Sequence, residues 1–452
     1  MKREHLGSRL GFILLSAGCA IGLGNVYKFP YIAGQNGGAI FVLIYLGCLL
    51  LLGLPVMTME FAMGRAAQKS PVRMYSELKP KSVWGIHGWL CLLGNTLLLM
   101  CYCTVAGWLL QYFVDTAAGR FSGLDAAGVA AVFGEVRSNT GSMIFYTITV
   151  VALSTIVCSF SLQGGLERIT KWMMLALLCI MIILAVNSCL LPGSTEGLKF
   201  YLLPSWERFA EAGIGRVVVA AMNQSFFSLS LGIGSMAIFG SYLKKEHTLM
   251  GEAVNVVFLD TFVAFTAGLI IFPACSAFGV EANSGGPLIF ITLPNVFNNM
   301  AGGRIWGSLF FVFMSFAALS TVFAVFENIV SCIRDLTGWE RKKASLIVGV
   351  CLAVLCMPCV LGLTVWSNVS IMGLSIMDFE DFTVNNILLP FGSLVFALFC
   401  VSRYGWGWNK FLAEANEGKG LKVAKWLRPY MTYVVPVIIT FIFCYGLYDF
   451  FK

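Results

Sequence analysis

A chain of 452 residues in which 58% are hydrophobic and only 12% charged, with a mean hydropathy of +0.83, is far more apolar than a soluble globular domain. That composition belongs in a lipid bilayer and argues against a water-soluble enzyme or binding module. The net charge of +7, from 30 Lys and Arg against 23 Asp and Glu, fits loops held against anionic lipid, because no basic cluster sits in a folded soluble domain that could grip nucleic acid.

A helix needs roughly 20 mostly apolar residues to cross roughly 30 Å of hydrocarbon. Runs of that length predict spans over 9–35, 39–63, 85–114, 142–160, 168–191 and 217–242, then 252–278, 303–332, 344–363, 380–402 and 429–450, eleven in all. A barrel would show short alternating segments instead. The first apolar run continues past the length of a signal core and lacks a small-residue cleavage site, so it is expected to remain. Lys2, Arg3, Arg9, Arg65, Lys69, Arg73, Lys79, Lys81, Lys244, Lys245, Arg341 to Lys343 and the 403–428 segment fall on one side, with few basic residues opposite. The positive-inside rule then puts the amino terminus in the cytoplasm of a plasma (inner) membrane protein, and an odd span count leaves Lys452 outside.

The first span spoils its own helix at GCAIGLGNVYKFP (18–30), which holds three glycines, Asn25 and Lys28. The sixth does so at QSFFSLSLGIGSM (224–236), where Gln224, Ser225, Ser228 and Ser230 surround Gly232 and Gly234. Close packing is the commonest use of glycine in membrane helices, but packing does not need the polar neighbours. A dinucleotide loop would need a preceding strand; Tyr27 also breaks its spacing in the first run, and the second, which formally fits with Ala237, lies within a span. Interrupted helices at corresponding places in two five-span halves, 9–191 and 217–402, point to a transporter of inverted repeats, with 429–450 as an additional span. Unwinding frees carbonyls for a cation and N–H groups for an anion.

Fifteen cysteines lie almost entirely inside the spans without metal-ligand spacing, and His5, His87 and His247 are too scattered for a metal or catalytic centre. No Walker motif, HExxH or Ser-Lys dyad is evident, so neither ATP nor enzyme chemistry is expected. An amino-acid-binding membrane sensor, or a symporter of another carboxylate-bearing solute, is the alternative reading.

GCAIGLGNVYKFPYIAGQNGG (18–38), GLPVMTMEFAMGR (53–65) and QSFFSLSLGIG (224–234) together resemble the neurotransmitter:sodium symporter family, over nearly the whole chain and in its bacterial eleven-span amino-acid transporter branch. The resemblance implies an all-α integral membrane protein with a leucine-transporter-like, inverted five-plus-five helix repeat. It also implies sodium-coupled import of amino acids by alternating access. By position, one sodium site would use Ala20, Asn25, Ser228 and a seventh-span side chain together with the substrate carboxylate. A second would use the carbonyls of Gly18, Ile21 and Ala317 with the hydroxyls of Ser320 and Thr321.

The seventh-span residue, in LDTFVAFTAGLIIF (259–272), is Asp260 where many relatives have asparagine, and Ala264 stands where chloride-dependent members place a serine. A carboxylate deep in a span costs roughly 2.5 to 3.5 kcal/mol on insertion scales. Asp260, alongside Tyr45, Gln224 and Ser228, would then supply the charge that chloride supplies elsewhere, and no chloride requirement is expected. Ala20 replaces the aspartate of amine-transporting relatives, so the substrate should bring its own carboxylate to Leu23, Gly24 and Tyr102. Its ammonium would meet carbonyls around Phe227, Ser228 and Thr321. Leu98, Tyr102, Phe227, Ser230, Ile233 and Val325 would line a pocket for a hydrophobic or aromatic side chain. Lys28 with Asp378 matches the outer charged gate, and Arg3 with Asp335 the inner one, although Lys28 replaces the usual arginine and Leu6 a nearby tryptophan.

Overall fold

The computed structural model describes residues 4–279 and 288–451. Arg3 and Lys452 therefore lie outside the described residues. Continuous apolar runs become long helices: α3 (Ala39–Ala67), α4 (Gly85–Ala118), α5 (Thr140–Ser159) and α6 (Leu162–Cys189) in the first half. In the second half they are α9 (Leu249–Ala277), α10 (Gly303–Thr337), α11 (Arg341–Gly362) and α12 (Ile376–Val401), followed by α13 (Lys425–Tyr448). The first span is instead a bent pair, α1 (Arg9–Ala20) and α2 (Gly24–Gln35), turned by 57°. The sixth is two shorter helices, α7 (Ile214–Ser228) and α8 (Ser235–Gly240), separated by six residues in turns.

Among the described residues, nine unbroken helices and one bent pair are long and apolar enough to cross a membrane. Length and apolarity thus give ten crossings rather than the expected eleven, because the break in 217–242 leaves pieces too short to count. The sequence reading also passed over short helices in the connections, including Pro71–Leu78, Ala126–Ser138, Thr195–Leu202 and Trp408–Ala415. Each has fewer apolar residues than a crossing requires.

The two longest helices, α4 and α10, pack against each other along the middle of the bundle, and α1 lies against α9 and α10. This arrangement sets the broken first span beside polar residues of α9 and α10 that are fully buried, among them Asp260 and Ser320. Lipid offers no hydrophobic drive between helices, so close backbone contact must hold them. Gly64 on α3 shows how close: a Cβ added there would lie 1.8 Å from the carbonyl oxygen of Ala237 on α8.

Gly64→Ala is expected to lower the melting temperature of the detergent-solubilised protein, at a cost of about 1–3 kcal/mol from overpacking. A differential scanning fluorimetry trace identical to that of the parent would contradict this contact.

Candidate functional site

The two breaks are held open by specific partners. After Ile21 donates its N–H to Ala17 O at 2.6 Å the helix stops, and Ile21 itself is extended (φ −72°, ψ 92°). Leu23 N–H then donates to the Tyr102 hydroxyl at 2.6 Å. Gly22 must lack a side chain, since a Cβ would lie 2.3 Å from the Tyr102 hydroxyl oxygen and 2.7 Å from Thr321 Oγ1. In the sixth span, Ser230, Gly232 and Gly234 adopt left-handed backbone (φ 51°, 97° and 73°), which ends α7. Gly232 N–H donates at 2.6 Å to Glu60, a fully buried carboxylate of α3. Glu60 stands inside the quoted GLPVMTMEFAMGR motif, yet its role as cap of a distant break was not legible there.

Carbonyl oxygens freed by the first break converge on α10. Thr321 Oγ1 lies 3.2 Å from Gly18 O, 3.3 Å from Ile21 O, 3.4 Å from Cys19 O and 3.4 Å from Ala317 O, while Ser320 donates to Ala317 O at 2.9 Å. One hydroxyl carries one proton; Ala317 O, on α10 itself, is served by Ser320, and Cys19 O also has Ser230 Oγ at 3.4 Å, which leaves the freed carbonyls Gly18 O and Ile21 O competing for the Thr321 proton. Such a surplus of hard oxygen acceptors in a buried place suits a small hard cation.

A second polar cluster lies nearby on α2, α3, α7 and α9. Asn25 donates its amide N–H to Asp260 Oδ1 at 2.7 Å and to Asp260 O at 3.1 Å, leaving its own Oδ1 buried without a hydrogen-bond partner. The Tyr45 hydroxyl is 2.9 Å from Ser228 Oγ and 3.5 Å from Asp260 Oδ2. Gln224 donates to Gly24 O at 2.9 Å, and its Oε1 is also buried and unpartnered. The residues singled out around Asp260 are therefore brought together, Gln224 through Gly24. The oxygens still seeking a positive partner fit a cation.

Between the breaks lies a narrow cavity of about 20 Å³. Ala20, Gly24, Leu98, Tyr102, Phe227, Ser230, Ile233 and Thr321 line it as the sequence reading expects, and Cys19 and Leu389 join them unforeseen. Val325 is fully buried but is not among the lining residues, and Ser228 turns toward Tyr45 instead. Gly24, Tyr102 and Phe227 also line a wider chamber of about 440 Å³, into which Lys28, Asp378 and Asp381 face. Tyr102 and Phe227 thus stand between the two spaces.

A broken first and sixth helix, two oxygen-rich clusters and a mainly apolar cavity occur in one place, and sequence comparison identifies the relatives. The sequence profile of the sodium:neurotransmitter symporter family matches residues 3–122 and 131–452. The chain belongs to that family. It is 35% identical over 98% of its length to 97% of an uncharacterized sodium-dependent transporter, YhdH, of Bacillus subtilis (strain 168). It is 31% identical, over 99% of both chains, to an uncharacterized sodium-dependent transporter of Haemophilus influenzae. Among solved structures it resembles MhsT in complex with L-phenylalanine, with a TM-score of 0.88 and 35% identity over 98% of this chain and 100% of that one. As a member of this symporter family the protein is a sodium-dependent integral membrane transporter and not an enzyme.

In this symporter the two mouths differ. At the chamber, Lys28 rests its ammonium 4.0 Å above the Phe227 ring, while Asp378 accepts from Ser375 at 2.6 Å; no ion pair joins Lys28 to Asp378 among the described residues. At the other end, Asp335 accepts from Ser70 N–H at 2.6 Å. The start of α1 is tied down repeatedly: Glu4 pairs with Arg334 at 2.6 Å and Arg341 at 3.3 Å, and Arg9 pairs with Glu252 at 2.8 Å. Glu167 accepts from Gly7 N–H at 2.7 Å and from the Ser8 hydroxyl at 2.8 Å. Arg341 also reaches Glu327, which accepts from Tyr242 at 2.7 Å. The ties of Glu4, Glu167 and Glu252 escaped the sequence reading because their partners lie more than a hundred residues apart.

Partial burial pushes the Glu4 carboxyl up, but the Arg341 guanidinium and the Arg334 hydrogen bond outweigh it and hold the group below the ordinary carboxylate range. A depressed acid stabilises the closed end above its ordinary pKa and loses that contribution as pH falls through the lowered value. Glu4→Gln should reproduce the acid effect at pH 7. Amide exchange across 9–20 is expected to quicken roughly fivefold, in keeping with about 1 kcal/mol for a part-exposed pair, and unchanged exchange by mass spectrometry would contradict it.

Proposed function

We propose that this symporter imports hydrophobic or aromatic amino acids with two sodium ions by alternating access, without a chloride requirement. The observation that carries this reading is the cavity's lining: apolar and aromatic side chains, with no Asp, Glu, Lys or Arg among the described lining residues, beside the backbone ends of a broken helix. A substrate held there must bring its own carboxylate to the cation and the N–H groups. Its apolar side chain is then received by Leu98, Ile233 and Phe227. The binding of L-phenylalanine by MhsT, at 35% identity, supports the same class of substrate here.

Each group has a task in this reading. Ala20, Asn25, Ser228 and Asp260 hold one sodium with the substrate carboxylate, so ion and substrate bind as a unit. Gly18, Ile21, Ala317, Ser320 and Thr321 hold the second, joining α1 to α10. Leu23 and Gly24 N–H with Tyr102 receive the carboxylate, and carbonyls near Phe227, Ser228 and Thr321 the ammonium. Asp260 gives its cluster a fixed negative charge where chloride would otherwise sit, with Tyr45 and Gln224 beside it. Each sodium moving down the membrane potential yields roughly 2.3 kcal/mol per 100 mV.

Access alternates in this reading when Tyr102 and Phe227 close over the substrate and Lys28 leaves the Phe227 face for Asp378. The opposite mouth opens as Arg3, Asp335 and the ties of α1 release. We also propose that 9–191 and 217–402 form inverted repeats, that the split sixth span makes the crossings eleven, and that the amino terminus is cytoplasmic. The basic residues Arg65, Lys69, Lys244 and Lys245 at the α1 end support that orientation.

The test is uptake of labelled tryptophan, tyrosine and leucine into proteoliposomes under an inward sodium gradient, with potassium as control and gluconate in place of chloride. Uptake is expected to need sodium and to be indifferent to chloride. Asp260→Asn should weaken apparent sodium affinity by about 10–100-fold. Binding without accumulation would favour a sensor, and strong stimulation by chloride would remove the proposed role of Asp260.

A further inference from the structure

We infer that Leu389, on α12, sets the upper size limit of the substrate side chain. The inference rests on the amino-acid reading above and adds a fifth wall to a pocket otherwise built from the two broken spans, α4 and α10. Leu389 lines the cavity while only 3% exposed, and it faces the same space as Leu98 and Ile233.

What distinguishes this wall is that it cannot retreat. A Cβ on Gly232 would lie 2.1 Å from Leu389 O, and one on Gly392 would lie 1.9 Å from Gly232 O, so α12 meets the break of the sixth span backbone to backbone. On the other side, a Cβ on Gly94 of α4 would lie 2.7 Å from Ile233 Cγ2 and 3.4 Å from Leu388 Cδ1. The chain just before Leu389 runs through a wide π-type turn, Thr383–Leu388. Such a turn carries an extra residue and advances the following side chains around the helix axis. Pro390 comes next, fixing its own φ. With α12 held against the sixth-span break on one side and beside Gly94 of α4 on the other, this part of the pocket changes most readily through the Leu389 side chain. Helix-packing leucines usually adjust with their neighbours, whereas this one lines the cavity from a backbone packed directly on the sixth-span break.

The experiment measures equilibrium binding of leucine, phenylalanine and tryptophan to purified full-length protein in saturating sodium, by competition against radiolabelled leucine. Leu389→Ala should shift the tryptophan-to-leucine affinity ratio toward tryptophan by about 10–100-fold, the range that a pocket difference of one or more methylenes commands. Leu389→Val should give a smaller shift in the same direction and serves if the alanine variant does not fold. Leu389→Met, close in volume, should keep the parent ranking. A ratio within twofold of the parent in Leu389→Ala or Leu389→Val, with sodium-dependent leucine binding intact, overturns the inference while leaving the amino-acid reading in place. If the parent protein binds none of the three amino acids in sodium, the substrate reading fails and the role of Leu389 fails with it.

Discussion

Everything at the centre of this protein depends on how a backbone survives unpaired in a bilayer. Each unsatisfied N–H or C=O in hydrocarbon costs several kcal/mol, so a span can be broken only where other groups take over its hydrogen bonds. Here the substitutes are few and identifiable. Tyr102 receives Leu23 N–H, Glu60 receives Gly232 N–H, Gln224 donates to Gly24 O, and Thr321 faces four carbonyls at once. Leu23 N–H and Gly232 N–H are thereby met by side chains, whereas Gly18 O and Ile21 O compete for the one Thr321 proton. That imbalance turns a structural difficulty into affinity for a cation.

The same imbalance would link ion and broken helix closely under the proposed sodium sites. In the proposed scheme a cation between α1 and α10 would relieve the carbonyls freed by the first break, and its departure would leave α1 less well held. Around Asp260 the logic differs, because a carboxylate is present and its Oδ1 already accepts from Asn25. A positive charge there answers both the buried carboxylate and the unpartnered Asn25 Oδ1. A buried acid is destabilising by itself and is tolerated where a partner arrives with the transport cycle.

The sequence conveys the long spans well because one apolar run of sufficient length specifies each of them locally. Helices α3 to α6 and α9 to α13 begin and end within a few residues of the predicted limits. Both breaks were legible too, since glycine with adjacent Asn25, Ser228 or Gln224 contradicts a plain lipid-facing helix. Three kinds of feature were not legible. Short connecting helices such as Ala126–Ser138 lack the length of a span. Glu60 and Leu389 act on breaks more than a hundred residues away, and nothing in their immediate neighbours marks them. The ties of Glu4, Glu167 and Glu252 to α1 or its leading segment pair acids with partners that only the folded bundle brings near.

Those ties also say which way the molecule is set. At the Lys28 mouth, ammonium and carboxylates line a wide chamber without an ion pair between Lys28 and Asp378. At the α1 mouth, Glu4, Glu167 and Glu252 are each engaged, two of them with arginines. Charges in a hydrated chamber lose little by standing apart, because water solvates each of them. Charges such as Glu252, only 1% exposed, must be paired or pay full desolvation. The conformation in which the buried end is paired and the hydrated end is separate is consequently the one that satisfies both environments. Reversing it requires an energy source that releases α1 while supplying new partners to the carbonyls it leaves behind. In the proposed scheme the sodium held between α1 and α10 would act at the junction where that exchange occurs.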